Sequence, residues 1–388
     1  MIGRLLEKTL MAKLSKAAGR KVVVLLGARQ VGKTTLMGRV FGQLSGRKEF
    51  LNGDYADDRA LLVPERAALH RLAGHLKWLF IDEAQNISEA GRVLKLLHDE
   101  FPGLRVAASG SSSFDLRRRT GEPLTGRQTV LEMFPISFAE RKPTLAGLPV
   151  VVEEGMVFGG YPEVVTARSP QEKEEYLRQL VADYLLKDIF AQVEVNRAKL
   201  HDLLRMVALQ VGAEVSLNEL AGGLRMDVKT VDRYLGLLED AFVIVRLRGY
   251  SRNLRKEVVK SRKIYFLDNG VRNAVLNAFE PLLLRGDAGM LWENWLISER
   301  MKRNAYADDA GAVANPYFWR TYDRQEIDYI EESREGLAAF EFKWNPAKGR
   351  KARPPKAWIR AYPESRFQAV TPENMMDFLE HSQSESTG

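Results

Sequence analysis

Residues Gly27-Ala28-Arg29-Gln30-Val31-Gly32-Lys33-Thr34 hold two glycines, a lysine and a hydroxyl residue at the spacing of a phosphate-binding loop. Glycines at 27 and 32 let successive backbone N–H groups turn inward around an anion. A helix expected to begin near Lys33 would aim the positive end of its dipole at the same charge. Gly27, Ala28, Arg29, Gln30, Val31, Gly32, Lys33, Thr34 and Thr35 are therefore the candidate nucleotide contacts. Lys33 would reach the β- and γ-phosphates of ATP, and the Thr34 hydroxyl would ligate Mg²⁺.

A second set lies in Trp78-Leu79-Phe80-Ile81-Asp82-Glu83, an apolar run ending in two carboxylates. An acid at the carboxyl tip of a parallel strand stands where open α/β sheets bind ligands. Asp82 is the candidate for holding Mg²⁺ through water, and Glu83 the candidate base that orients the attacking water. Ser109-Gly110-Ser111-Ser112-Ser113 follows another apolar run. Ser109 or Ser111 would sense the γ-phosphate there; alternatively the cluster is a loop, with Ser113 capping a helix over Phe114–Arg119. Arg127 is either an arginine finger, in cis or from a neighbouring subunit, or a solvated arginine.

The third set is dispersed. Asp328 lies in a strand expected over Gln325–Ile330, and Glu341 and Lys343 in one over Ala339–Trp344. Strand alternation puts Glu341 and Lys343 on one face. Glu293 would join them from a helix. An aspartate followed by Glu-x-Lys on the next strand suits a metal-dependent phosphodiesterase site, with carboxylates on Mg²⁺ and the lysine beside the attacking water. Paired strand charges, or a nuclease fold retained without activity, are the alternatives.

These groups need elements to position them. Val22–Leu26 is an apolar run before the loop, and helix-forming residues follow from Thr34 to Val40. Strands are expected at Lys48–Asp54, Trp78–Ile81 and Leu104–Ala108, and helices at 58–76 and Ala90–Glu100. This alternation implies a parallel sheet with helices on both faces. Gly159-Gly160-Tyr161-Pro162 is a turn expected to close the first domain, before a helical stretch from Gln171 to Val193.

Residues 199–266 read as a winged helix-turn-helix. Leu203, Leu204, Val207 and Leu209 mark its first helix, Leu217–Leu224 its second, and Asp227 caps a third running to Asp240. Strands at Phe242–Leu247 and Lys263–Leu267 flank the most basic segment. There Arg246, Arg248, Arg252, Arg255, Lys256, Lys260, Arg262 and Lys263 stand against Glu257 alone. A basic wing suits a DNA backbone, although such modules also dock proteins.

The chain has 388 residues, 45% of them hydrophobic, enough for the cores of two or three domains. It has no cysteine, which excludes disulfides, thiolate zinc sites, iron–sulfur clusters and cysteine catalysis, and fits a reducing cytoplasm. Charges interrupt Met1–Lys8, so neither a signal peptide nor a membrane span is expected there. The longest apolar runs are strand length, short of the roughly 20 residues a spanning helix needs. The net charge of +7, from 58 basic and 51 acidic residues, matters through its location.

With these residues in view, the chain resembles a large prokaryotic family of AAA-type ATPases. The resemblance rests on the phosphate loop and Phe80-Ile81-Asp82-Glu83-Ala84-Gln85, then on Ser109-Gly110-Ser111-Ser112, Leu124-Thr125-Gly126-Arg127 and Phe134-Pro135-Ile136-Ser137-Phe138-Ala139-Glu140. It continues through Gly159–Glu163, Ile264–Gly270, Glu293-Asn294, Glu326-Ile327-Asp328 and Glu341-Phe342-Lys343. It implies ATP binding by the loop and hydrolysis through Asp82 and Glu83. It also implies an α/β fold: an AAA-type parallel sheet (1–165), a helical linker with a winged helix (166–262) and a small restriction-endonuclease-like domain (263–388). One expected function is ATP hydrolysis coupled to action on DNA. The other is a slow regulatory switch that binds a protein partner, with a silent C-terminal domain. A homo-oligomer is compatible with either.

Overall fold

The computed structural model describes residues 2–15, 21–111, 124–184, 189–190, 195–251, 262–307 and 314–380. The chain divides into two compact units. The first is Met1–Ile136 with Tyr184–Gln192 and Asp240–Phe242; the second is Ser137–Asp183 with Val193–Glu239 and Val243–Gly388.

In the first unit, helix α1 (Leu6–Ser15) buries Leu6, Leu10 and Leu14, one residue per turn. Strand β1 (Val22–Leu26) is buried throughout, and helix α2 (Lys33–Gln43) follows the loop. Strands β2 (Lys48–Asn52), β3 (Trp78–Asp82), β4 (Arg105–Gly110) and β5 (Gln128–Glu132) complete a five-stranded sheet, ordered β2-β3-β4-β1-β5. Every pairing in it is parallel. Parallel strands covered on both faces need continuous apolar runs, which β1 and β3 supply. One face packs Val22, Val24, Leu79 and Ile81 against Leu94 and Leu97. On the helix α2 side, Phe41 meets Phe50 and Phe80 edge-on.

The helix expected over 58–76 is two helices, α3 (Ala56–Leu61) and α4 (Arg66–Ala73). Pro64 lies between them; it lacks a donor and turns the residue before it away from helical geometry. Helix α5 (Ala90–Glu100) buries Val93, Leu94 and Leu97, with Leu96 half-buried.

The second unit has a seven-stranded mixed sheet ordered β12-β11-β10-β9-β7-β8-β6. Its strands are β6 (Glu214–Val215), β7 (Ile244–Gly249), β8 (Arg262–Phe266), β9 (Asn315–Arg320), β10 (Glu326–Ser333), β11 (Gly336–Phe342) and β12 (Arg366–Val370). Strand β7 pairs antiparallel with β8 and parallel with β9, so strands on either side of residue 262 share one sheet. The pairing of β10 with β9 shifts register between Ile327 and Ile330, at Asp328.

Three helices precede β7: Arg197–Leu209, Leu217–Leu224 and Val228–Asp240. Side chains of Asn196, Ser216 and Asp227 each accept a first-turn amide, at 3.1, 3.4 and 2.8 Å. The first helix buries Leu203, Leu204 and Val207, whereas Leu209, expected on the same face, is exposed. Gly159–Pro162 lies in this second unit, with the Gly160 amide donating to Asp268 at 2.7 Å. Among the described residues no helix is long and apolar enough to cross a membrane.

Candidate functional site

All five strands of the first sheet run in one direction, so their carboxyl ends share one edge. Strand β1 neighbours β4 and β5, so the chain leaving it must cross to the far edge before building β2. Such a change of direction opens a crevice at the carboxyl edge. The loop leaves β1 there. Gln30 and Gly32 have φ of 62° and 94°, the left-handed region that turns the chain into α2. Gly27 admits no side chain, because a Cβ would stand 2.1 Å from the Met133 carbonyl oxygen. Lys33 is buried, and its Nζ donates to the Gly27 and Ala28 carbonyls, both at 2.9 Å.

Residues distant in sequence meet at this edge. Thr34 Oγ1 donates to Asp82 Oδ2 at 2.7 Å. The other carboxylate oxygen, Oδ1, accepts from Ser109 Oγ, which in turn accepts from the Glu83 amide at 3.1 Å. A hydroxyl and a carboxylate in contact are hard oxygen donors of the kind Mg²⁺ takes. Glu83 has φ 48°, a left-handed conformation uncommon for a residue with a side chain.

Two residues at this edge carried no role in the sequence reading. Gln85 is buried, and its Nε2 donates to Glu83 Oε2 and, at 3.2 Å, to Ser111 Oγ. Its place two residues after Glu83 was the available signal. Arg4 donates to the Val31 carbonyl at 2.7 Å and the Phe134 carbonyl at 2.6 Å, bracing the loop from before α1. Nothing in its sequence neighbourhood marks it.

Arg127 is a correction. Val22 pairs with Gln128 and Leu26 with Glu132, so Arg127 lies at the amino edge of the sheet. Four residues of strand, about 13 Å, separate that edge from the loop. Its Nε donates to Asp99 at 2.8 Å, at the end of α5. Strand direction thus sets Arg127 at the edge opposite the loop of its own chain. Ser109 and Ser111 lie at the carboxyl edge; Ser112, Ser113 and the helix expected after them fall outside the described residues.

The AAA domain family matches residues 19–142, and two domains of unknown function, DUF8612 and DUF4143, match 151–282 and 288–375. An uncharacterised protein of Mycobacterium tuberculosis is 31% identical over 331 residues, which are 83% of this chain and 70% of that protein. This chain is an AAA-domain protein of the same family. An uncharacterised protein of Methanocaldococcus jannaschii is 24% identical over 340 residues, 81% of this chain and 73% of its own. The Thermotoga maritima RuvB Holliday junction branch migration motor aligns with 63% of this chain and 90% of its own, at 18% identity and a TM-score of 0.30. The AAA domain supports nucleotide binding at the edge described above.

Outside the AAA domain, the third expected set assembles around a residue the sequence placed elsewhere. Lys263 was expected on the basic wing; it is buried 2% exposed, with its Nζ in contact with Glu326, 3.4 Å from Glu293 and 4.0 Å from Asp328. Burial alone would pull its pKa down, but the carboxylates of Glu293, Asp328 and Glu326 outweigh it and the net shift is upward. Burial and the Asp328 charge push the Glu293 carboxyl above the ordinary carboxylate range. Glu293 also accepts from Tyr265 Oη at 2.6 Å. Asp328 accepts from the Phe342 amide at 2.8 Å, and Lys343 pairs with Glu341 at 2.5 Å.

Glu293, Asp328, Glu341 and Lys343 were expected around a divalent cation; in the structure Lys263 and Lys343 stand among these carboxylates. Among the described residues no group of three or more acidic or histidine side chains is placed to hold a metal ion. The Lys263 ammonium puts a positive charge among Glu293, Glu326 and Asp328. Arg246, also expected on the basic wing, is paired as well. Arg246 donates to Glu239 and Asp232, both at 2.6 Å, and residues 252–261 fall outside the described residues.

Proposed function

We propose that the chain is a Mg²⁺-dependent ATP hydrolase. One observation carries this: Thr34, Asp82, Ser109 and Glu83 form a hydrogen-bonded chain beside Lys33 at the carboxyl edge. Backbone amides from Gly27 to Thr34, with the Thr35 hydroxyl beside them, would take the phosphates. The Lys33 ammonium would exchange its two carbonyl partners for the β- and γ-phosphates. Thr34 and Asp82 would hold Mg²⁺, which when bound neutralises charge on those phosphates. Ser109 fixes the orientation of Asp82, and Ser111 would sense the γ-phosphate. Glu83 would accept the proton of the attacking water.

Phosphate release and binding of a fluorescent ATP analogue test this together. Glu83→Gln is expected to bind nucleotide within about threefold of wild type and to lose about 10²–10³-fold in turnover. Lys33→Ala is expected to lose binding. Equal turnover in the wild-type protein and Lys33→Ala would remove the hydrolase reading.

For the remainder, residues 1–165 would be the ATPase, 166–262 a helical linker with a winged helix-turn-helix, and 263–388 a restriction-endonuclease-like portion. The winged-helix reading draws support from three capped helices followed by the antiparallel β7–β8 pair. Nucleotide state would act on DNA through that module, with exposed Arg248 and the basic stretch after it meeting phosphates. The absence of cysteine supports a cytoplasmic setting.

Lys263 favours a second reading of the output. With its carboxylates already neutralised, the C-terminal portion would be catalytically silent, and the chain a slow switch that binds a protein partner. Arg127 would then act on the nucleotide of a second copy in a homo-oligomer. ATP turnover with and without duplex DNA at low salt separates the two. Stimulation that fades as salt rises supports DNA action; DNA-independent turnover, with a partner captured by ATP-loaded Glu83→Gln, supports the switch.

A further inference from the structure

Gln85 is more deeply buried than the glutamate it touches, and its two amide ends differ. The Nε2 end is shared between Glu83 Oε2 and Ser111 Oγ, the candidate base and the candidate γ-phosphate sensor. The Oε1 end is buried without a donor among the described residues. A buried, unsatisfied carbonyl costs about 1–3 kcal/mol and is uncommon in folded proteins. Reversing the amide does not resolve this, because the oxygen would then face the Glu83 carboxylate, acceptor against acceptor. The orientation is therefore set by Glu83, and the carbonyl is left over beside it.

We propose that Gln85 orients the attacking water together with Glu83, and that its Nε2 links that pair to Ser111. The proposal rests on the hydrolase reading above and adds a second acceptor to it. The water then has two acceptors, the Glu83 carboxylate and Gln85 Oε1, one for each hydrogen. Two fixed acceptors define the direction of the oxygen lone pair, which one carboxylate alone does not. In the step itself, the water oxygen bonds to the γ-phosphorus. The bond from that phosphorus to the bridging oxygen breaks, and its electron pair leaves on the diphosphate. One water proton passes to Glu83 and on to solvent. The other stays on the new phosphate, held until then by Gln85. Ser111, held by the same Nε2, reports the γ-phosphate to this pair, so the water is aligned only when the third phosphate is present.

The test uses the full chain with Mg²⁺ and ATP. Gln85→Met keeps the side-chain length and removes both polar ends. It is expected to bind nucleotide within about twofold of wild type and to lower kcat about 100-fold, the scale of one lost positioning group. Gln85→Glu keeps an acceptor and loses the donor to Glu83; it too is expected to lose kcat with nucleotide affinity retained. The double variant Glu83→Gln/Gln85→Met is expected to be no slower than Glu83→Gln alone, because residues acting on one water do not contribute independently. Wild-type kcat in Gln85→Met, losses that multiply in the double variant, or affinity falling in step with rate would each overturn the role of Gln85 while leaving the hydrolase intact. Wild-type turnover no faster than that of Lys33→Ala would instead overturn both.

Discussion

Asp82 accepts from two hydroxyls, Thr34 on one oxygen and Ser109 on the other. The arrangement makes Ser109 separable from the chemistry. It holds the acid and the Glu83 amide, and it needs no contact with nucleotide to matter. Ser109→Ala leaves Oδ1 and the Glu83 amide without that partner, and one such loss costs about 1 kcal/mol of stability. Turnover is expected to fall about tenfold through misplacement of Asp82 and Glu83, with nucleotide affinity changed less. Phosphate release and urea denaturation on one preparation check both. Arg127 gives the opposite expectation. Its partner is Asp99, and that ion pair and hydrogen bond hold the Asp99 carboxyl below its ordinary range. Arg127→Ala should leave nucleotide binding within about twofold of wild type, because a half-exposed ion pair at the amino edge contributes little. Fluorescent-nucleotide titration reads this directly.

Between elements, buried charges hold the second unit together. Lys263 on β8 joins Glu326 and Asp328 on β10 to Glu293 on the helix Ala288–Tyr306. Lys263→Met strands three partly buried carboxylates and is expected to cost about 3–5 kcal/mol, measured by urea denaturation. Asp287, at the start of that helix, accepts from Arg272 at 2.7 Å and from Arg285 at 2.8 and 2.9 Å. The Arg285 hydrogen bonds, with Arg272 adding to them against a smaller opposing effect of burial, hold its pKa down to about 2. A depressed carboxyl stabilises the fold above its unfolded value, about 3.9, and the contribution is lost as pH falls through about 2. Asp287→Asn should therefore be about 2 kcal/mol less stable at pH 7. That gap should close between pH 4 and 2, roughly, as read from denaturation midpoints across the range.

For the whole molecule, the prediction concerns the output of the proposed hydrolase: DNA stimulation belongs to one reading and nucleotide-dependent partner capture to the other. Much of the fold was legible because its signals are local. Continuous apolar runs at Val22–Leu26 and Trp78–Ile81 announce covered parallel strands. Glycines at 27 and 32 announce a turn that only small, left-handed-tolerant residues make. The break at Pro64 is equally local, but helical composition on both sides masks it. Other features depend on which strand ends coincide, and no local pattern encodes that. Lys263 looks basic beside Arg262, yet in a sheet ordered β9-β7-β8 it stands in an acidic interior. Arg127 ends a motif of the resemblance, yet parallel register sends it to the edge away from the loop. By itself, the sequence determined the phosphate loop, the paired carboxylates and the strand–helix alternation, because these arise from residue type and short-range spacing. Only the tertiary structure decided what neutralises the C-terminal carboxylates, where Arg127 stands and what Gln85 touches, because strand order and register choose neighbours across tens of residues.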